Sequence, residues 1–211
     1  MAHRLADRRR LILGTAATLA WPALVSSASS AQAQGRLAPT PAQTEGPFYP
    51  TGLDGDTDAD LLRHGARNYG HGQPLWLAGR VTDPAGRAVA GAVVEIWQCD
   101  HAGHYRHPGD GNRADPAFQG FGRVTVARDG QYRFRTIRPV AYSGRTPHIH
   151  VKLRLGTREL LTTQLYVAGD PGNPSDSLWR RLAPEERAAL TRPFVAGSSG
   201  LAADFPIVVD A

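Results

Sequence analysis

GFGRVTVARDGQYRFRTI, Gly120 to Ile137, consists of two short runs of strand-forming residues on either side of Arg128-Asp129-Gly130. An Asp-Gly step between two such runs predicts a β-hairpin. The same alternation of short apolar runs and turn residues continues in both directions. LWLAGRVTD and AVVEIWQCD flank the turn-rich PAGRAVAG, and HIHVKLRLG, LLTTQLYVAG and FPIVVD follow. Short strands at this spacing predict an all-β, antiparallel β-sandwich of transthyretin- or immunoglobulin-like topology. One stretch, SLWRRLAPEERAAL from Ser177 to Leu190, is predicted helical, and Pro184-Glu185-Glu186 suits a first helical turn.

The chain of 211 residues is long enough for one domain with a substantial core, and its 23 Gly and 16 Pro favour a loop-rich β fold. Residues 1–33 read as a secretory signal. Arg8, Arg9 and Arg10 form a basic head, Leu11 to Val25 an apolar run, and Ala31-Gln32-Ala33 a small-residue exit. The arginines followed by Leu-Ile resemble a twin-arginine export signal, which implies a periplasmic or secreted protein that binds its cofactor before export. Residues 34–72, rich in Pro, Gly and Asp, are expected to form an extended arm wrapped around a domain spanning 73–211.

Removal of residues 1–33 leaves 20 basic and 18 acidic residues, a net charge of +2. The remaining arginines are scattered rather than striped, which argues against a nucleic-acid partner. With the signal removed, no membrane partner is expected, and a homo-oligomer is left open. The lone Cys99 excludes an internal disulfide and reads as a small buried strand residue.

The strand HIHVKL raises a chemical question. Residues i and i+2 of a strand share a face, so His148 and His150 project together while Ile149 points into the core. Two imidazoles so placed can hold one metal ion, but no third histidine or carboxylate stands at comparable spacing to complete a zinc site. Two tyrosines stand near instead, Tyr105 in the loop after EIWQCDHAGHY and Tyr142 in RPVAYSGR. A phenol has a pKa of about 10 and ligates where a strongly charged ion removes its proton, so phenolate with imidazole points to ferric iron, Fe(3+). His101, His104 and His107, around Tyr105, read as a solvated loop. Trp76 and Trp97 read as core aromatics.

The motifs TPAQTEGPFYP, VAGAVVEIWQCDHAGHY, FQGFGRVTVARDGQYRFRTIRP, GRTPHIHVKL and TTQLYVAGDP occur in this order over nearly the whole chain after residue 33. In this respect the chain resembles the intradiol ring-cleavage dioxygenases. The resemblance implies a non-haem ferric enzyme that uses O2 to open a small aromatic diol between its two hydroxylated carbons, giving a cis,cis-muconate-type product. It implies Tyr105, Tyr142, His148 and His150 as iron ligands, with Tyr142 and His150 axial. Arg145 and Gln164 would be polar residues beside the ligands, with Arg145 stabilising charge on the reacting ring. Phe48 and Tyr49 would line the substrate mouth.

A ferric ion with two phenolates and a hydroxide sums to zero charge, as does one with a single phenolate and a catecholate dianion, so substrate is accepted without burying net charge. The resemblance further implies that Tyr142 gives way to substrate and takes up a proton. The loop Ser143 to Pro147 is short for the family, which suggests an open pocket. VTDPAGRAVAGAVVEIW is also similar to transthyretin-like and carbohydrate-binding sandwich modules that perform no chemistry.

Overall fold

A computed structural model describes residues 35–52 and 55–211; the expected signal, residues 1–33, lies outside them. In chain order the elements are β1 (Arg63–His64), β2 (Arg67–Asn68), β3 (Pro74–Thr82), β4 (Val93–Trp97), β5 (Phe121–Thr125), β6 (Gln131–Ile137), β7 (His148–Leu155), β8 (Arg158–Val167), α1 (Ser177–Arg181), α2 (Pro184–Leu190), β9 (Thr191–Arg192), β10 (Val195–Gly197), β11 (Gly200–Asp204) and β12 (Ile207–Val208).

Two sheets enclose the core. The first carries β3 at its centre, with β6 antiparallel on one side and β11, β12 and the outer β10 on the other. The second has the order β5-β4-β7-β8-β9. Leu75, Leu77, Tyr132 and Phe134 of the first sheet meet Val94, Ile96, Ile149, Val151, Leu153 and Leu165 of the second in one apolar cluster. The all-β expectation thus holds at the level of a two-sheet sandwich. The sheets are mixed rather than purely antiparallel, since β11 and β12 run parallel to β3 and β9 runs parallel to β8.

Three further expectations are corrected. The Asp129-Gly130 turn forms, closed by Ala127 N–H to the Gln131 carbonyl at 3.0 Å, but β5 and β6 do not pair. β5 joins β4 in the second sheet and β6 joins β3 in the first. Both strands have an apolar side to bury, and arching across the sandwich sets those sides facing each other over the core. The helical stretch is two helices rather than one. Pro184 opens α2, and the residue before a proline is driven out of the helical region, so Leu182 and Ala183 are extended. Trp76 is half-buried on the outer face of the first sheet, with the Arg133 guanidinium 3.8 Å from its ring centroid, and is not a core residue.

Residues 35–52 run extended over the molecule. Gln43 N–H bonds the Thr162 carbonyl at 2.8 Å and Thr40 N–H bonds the Val208 carbonyl at 2.9 Å. Further on, Leu61, Leu62 and Tyr69 enter the main core around the small β1–β2 pair. The arm leaves the outer face of the second sheet covered, so β7 is buried on both sides from His148 to Leu153.

Candidate metal centre

The outer face of the second sheet carries a second, smaller cluster. Trp97, Cys99, Tyr105 and Phe121 are buried there, with Phe48, Tyr49, Val140 and Tyr142 packed against them. Strand periodicity puts His148 and His150 on this face, and register sets His150 opposite both Trp97 and Gln164. The indole of Trp97 lies flat on the His150 ring, centroids 4.8 Å apart at 10°.

Each donor has its own local support. Tyr105 sits in a loop tied by carboxylates: Asp100 accepts the Ala102, His104 and Asp115 amides, and Asp110 accepts the Tyr105 amide at 2.8 Å. Tyr142 begins a two-residue turn in which Ser143 and Gly144 both have positive φ, 44° and 74°, and Arg145 N–H bonds the Tyr142 carbonyl at 2.7 Å. Such a turn favours glycine and is strained at the serine. It sets Arg145 directly across from Tyr142. His148 Nδ1–H donates to the Thr146 carbonyl at 2.7 Å, which turns the Nε2 lone pair toward the site.

The four donors converge. The Nε2 atoms of His148 and His150 are 3.2 Å apart, and Tyr142 Oη is 3.5 Å from His148 Nε2. Both separations lie within the ~4 Å that two donors ~2.1 Å from one ion can span. The ring of Tyr105 stands 4.9 Å from that of Tyr142, edge to face. Tyr105 Oη and His150 Nδ1 are buried with no hydrogen-bond partner among the described residues. A buried polar atom left so is costly, and for Tyr105 a metal removes that cost.

Burial governs the protonation of all four. It drives the His148 imidazole down to about 4, helped by the Arg145 charge, and drives His150 well below its usual value. Both rings are therefore neutral and able to ligate at neutral pH. Burial also pushes both phenols up, Tyr105 well up with Tyr142 as the next cause. Their ionisation therefore requires a strong local cation. No group of three His, Cys, Asp or Glu suited to a metal occurs among the described residues, so the donor set is of phenol and imidazole character.

Behind the donors lies a polar network. Arg145 Nε–H donates to Asp176 at 2.7 Å and its Nη2 donates to Gln164 Oε1 at 2.6 Å. Burial works against the Arg145 charge, but Asp176 outweighs it, so the guanidinium is held more firmly protonated than usual. Gln164 Nε2 donates to the Thr44 carbonyl, and Tyr166 Oη bridges Gln43 and Gln164. Asp176 also takes the Thr146 amide at 2.9 Å and caps α1 through the Leu178 and Trp179 amides.

The site residues expected from sequence are thus brought together: Tyr105, Tyr142, His148 and His150 as converging donors, Arg145 and Gln164 bonded behind them, and Phe48 stacked on Tyr105 at 4.6 Å. Tyr49 stands further off, over the Lys152 ammonium, and donates to Glu95 at 2.9 Å. Asp176 was not singled out by the sequence reading, although an Asp just before a helical run is an N-cap signal that marks it.

His101, His104 and His107 diverge to separate partners: Tyr69 Oη for His101, the Asp110 carboxylate near His104, and the Gly109 amide for His107. Cys99 is buried, and burial and then Asp100 push its thiol up to about 12, which suits an inert residue.

A two-sheet β-sandwich that gathers two phenols and two imidazoles at one point, with an arginine held behind them, defines a non-haem metal site of a known kind. The chain belongs to the intradiol ring-cleavage dioxygenase family, whose dioxygenase profile matches residues 44–211. That family uses non-haem iron.

The chain is 36% identical to the protocatechuate 3,4-dioxygenase beta chain of Burkholderia cepacia, over 70% of this chain and 68% of that one. It is 32% identical to catechol 1,2-dioxygenase 1 of Acinetobacter lwoffii, over 81% of this chain and 58% of that enzyme. Among solved structures, the dioxygenase domain of a dioxygenase carbohydrate-binding protein fusion from Streptomyces sp. SirexAA-E aligns with a TM-score of 0.66 and 33% identity, covering 82% of this chain and 99% of that one. The chain spans between half and two-thirds of the length of several curated relatives.

Proposed function

We propose that this protein is a ferric intradiol dioxygenase that opens a catechol-type ring with O2, and that Tyr105, Tyr142, His148 and His150 hold its iron. The observation that carries this reading is the convergence of those four donors, among them a buried Tyr105 Oη with no protein partner. Bound ferric iron supplies a Lewis acid that takes the ionised diol and activates the ring toward O2.

The protein groups do the rest. Tyr142 is the less buried of the two tyrosines and sits on a two-residue turn, so its Oη is placed to leave the donor set and hold a catechol proton. Arg145, permanently charged and fixed by Asp176 and Gln164, stands across the turn from Tyr142, where it stabilises negative charge that develops on the ring. Phe48 and Tyr49 bring an aromatic wall from the arm, and Trp97 holds the plane of His150.

Phenolate bound to ferric iron absorbs visible light, so iron-loaded protein is expected to be reddish and to consume O2 with at least one of catechol, protocatechuate and hydroxyquinol, with a muconate-type product identified by mass. A colourless protein that holds zinc stoichiometrically overturns the reading. We further infer export of the protein to the periplasm or beyond through residues 1–33. Replacing Arg8, Arg9 and Arg10 with Lys is expected to trap the precursor, and unchanged export would exclude the twin-arginine route.

A further inference from the structure

Beside Tyr105, on the flank that carries none of the other three donors, lies a cavity of about 270 Å³. That is just below the usual ~300–1,000 Å³ of small-molecule sites and suits one ring or a short substituent. Its walls include the aromatic side chains of Phe48, Trp97 and Phe121, and Gln119 and Arg106 border it. Two of these residues carry buried polar atoms that meet no hydrogen-bond partner among the described residues: Trp97 Nε1 and Gln119 Oε1. Both side chains are almost fully buried, at 1% and 2% exposure.

The roles of those two atoms are fixed by chemistry. An indole N–H only donates. Gln119 Nε2 donates to the carbonyls of Asp58 at 3.0 Å and Phe121 at 2.8 Å. Since both partners are pure acceptors, the amide orientation is determined and Oε1 is left as an acceptor. The cavity therefore offers one donor and one acceptor inside an aromatic wall. A hydroxyl answers both at once. A carboxylate, which only accepts, would face the lone pairs of Gln119. Arg106 does not change this balance, because its Nη2 is taken up by the carbonyls of Asp115, Pro116 and Phe118.

Phe48 connects this cavity to the metal centre. It lines the cavity, stacks on Tyr105 with centroids 4.6 Å apart, and meets Tyr142 edge-on at 6.0 Å. A diol bound at Tyr105 and Tyr142 has this ring as its neighbour on the cavity side. We propose that the cavity is a distal subsite for a neutral, hydroxyl-tipped substituent on the substrate ring, with Phe48 at its mouth and Trp97 and Gln119 as the recognising pair. The proposal rests on the dioxygenase reading for the position of the diol. It assigns the substrate class as catechols extended by a hydroxylated aryl or short alkyl group.

The test is anaerobic calorimetry of the iron-loaded protein with catechol, 4-phenylcatechol, 4-(4-hydroxyphenyl)catechol and 4-(4-carboxyphenyl)catechol. The distal hydroxyl is expected to tighten binding about five- to tenfold over the phenyl compound, the effect of pairing buried polar groups otherwise left unmet, and the carboxylate to weaken it. Thr57→Trp, which fills the cavity from its rim, and Trp97→Phe, which removes only the donor while keeping an aromatic ring over His150, are each expected to bring the hydroxyphenyl and phenyl compounds to equal affinity.

Equal binding of those two compounds by the wild type, as in a cavity that holds only water, overturns the proposal. So does a hydroxyl preference that survives both substitutions. Oxygen uptake is recorded separately. A protein that prefers the hydroxyl yet opens no ring upholds the subsite and refutes the ring-cleavage reading.

Discussion

The Asp176 carboxylate, which caps α1, also accepts the Nε–H of Arg145 at 2.7 Å. One oxygen serves the helix amides. The other holds Arg145 and the Thr146 amide, and Thr146 in turn holds His148 through its carbonyl. A single side chain thus couples a helix start to the arginine and to one metal donor.

Asp176→Asn is expected to keep much of the cap, because an amide oxygen also accepts from the Leu178 and Trp179 amides, but to release the Arg145 charge. Removing one partner of a fully buried ion pair costs ~3–5 kcal/mol, and the partial exposure of Arg145 lowers this to about 2 kcal/mol. Chemical denaturation measures the stability loss. A fall in kcat with iron content unchanged would separate the effect on Arg145 from one on the metal.

Arg145→Ala is expected to retain iron and colour while losing about 100- to 1000-fold in turnover, because the charge it stabilises develops only during reaction. Oxygen uptake at saturating substrate gives the result. Wild-type turnover in this variant would remove Arg145 from the mechanism.

His148→Ala and His150→Ala are each expected to lose iron, since each removes one of four converging donors. Tyr142→Phe is expected to keep the ion and shift the visible band. Metal analysis and absorption spectra of the purified variants distinguish these outcomes. Full iron occupancy in either alanine variant would exclude that histidine as a ligand.

Stability of the metal-stripped protein should rise with pH between about 4 and the ordinary histidine value of 6.5. Burial depresses His148 to about 4, so within this window the unfolded chain binds a proton that the folded chain does not. The contribution is complete above 6.5 and is lost as pH falls toward 4. The slope from one such group is at most ~1.4 kcal/mol per pH unit. His148→Asn should flatten the profile in denaturation experiments across this range.

Gly46 has φ of +77°, and a Cβ there would come 3.3 Å from His150 Cε1. Gly46→Ala is expected to cost about 1–2 kcal/mol from the left-handed backbone and to press on the donor ring. Loss of iron affinity out of proportion to the change in melting temperature would locate the effect at His150. Wild-type affinity would show that the arm yields there instead.

Much of this protein is legible residue by residue. The period of two in HIHVKL puts two imidazoles on one face and Ile149 in the core because strand geometry leaves no other choice. The donor types in the loops point to the chemistry because phenol and imidazole together suit few ions.

Other features are set by contacts between residues far apart in the chain. The Asp129-Gly130 turn is a local signal and it formed, yet whether β5 and β6 pair across it or separate into two sheets depends on what β3 and β4 offer each of them. The cover over His150 depends on the arm: Gln43 reaches Tyr166 and Thr44 reaches Gln164, across more than a hundred residues. Asp176 could be read as a helix cap from its neighbours, but its hold on Arg145 arises only when two loops are packed at one end of the second sheet. Local periodicity and turn chemistry determined the strands and the donors. Only the tertiary structure decided which strands share a sheet and which carboxylate holds the arginine, because a hydrogen bond between distant residues leaves no pattern in the sequence around either partner.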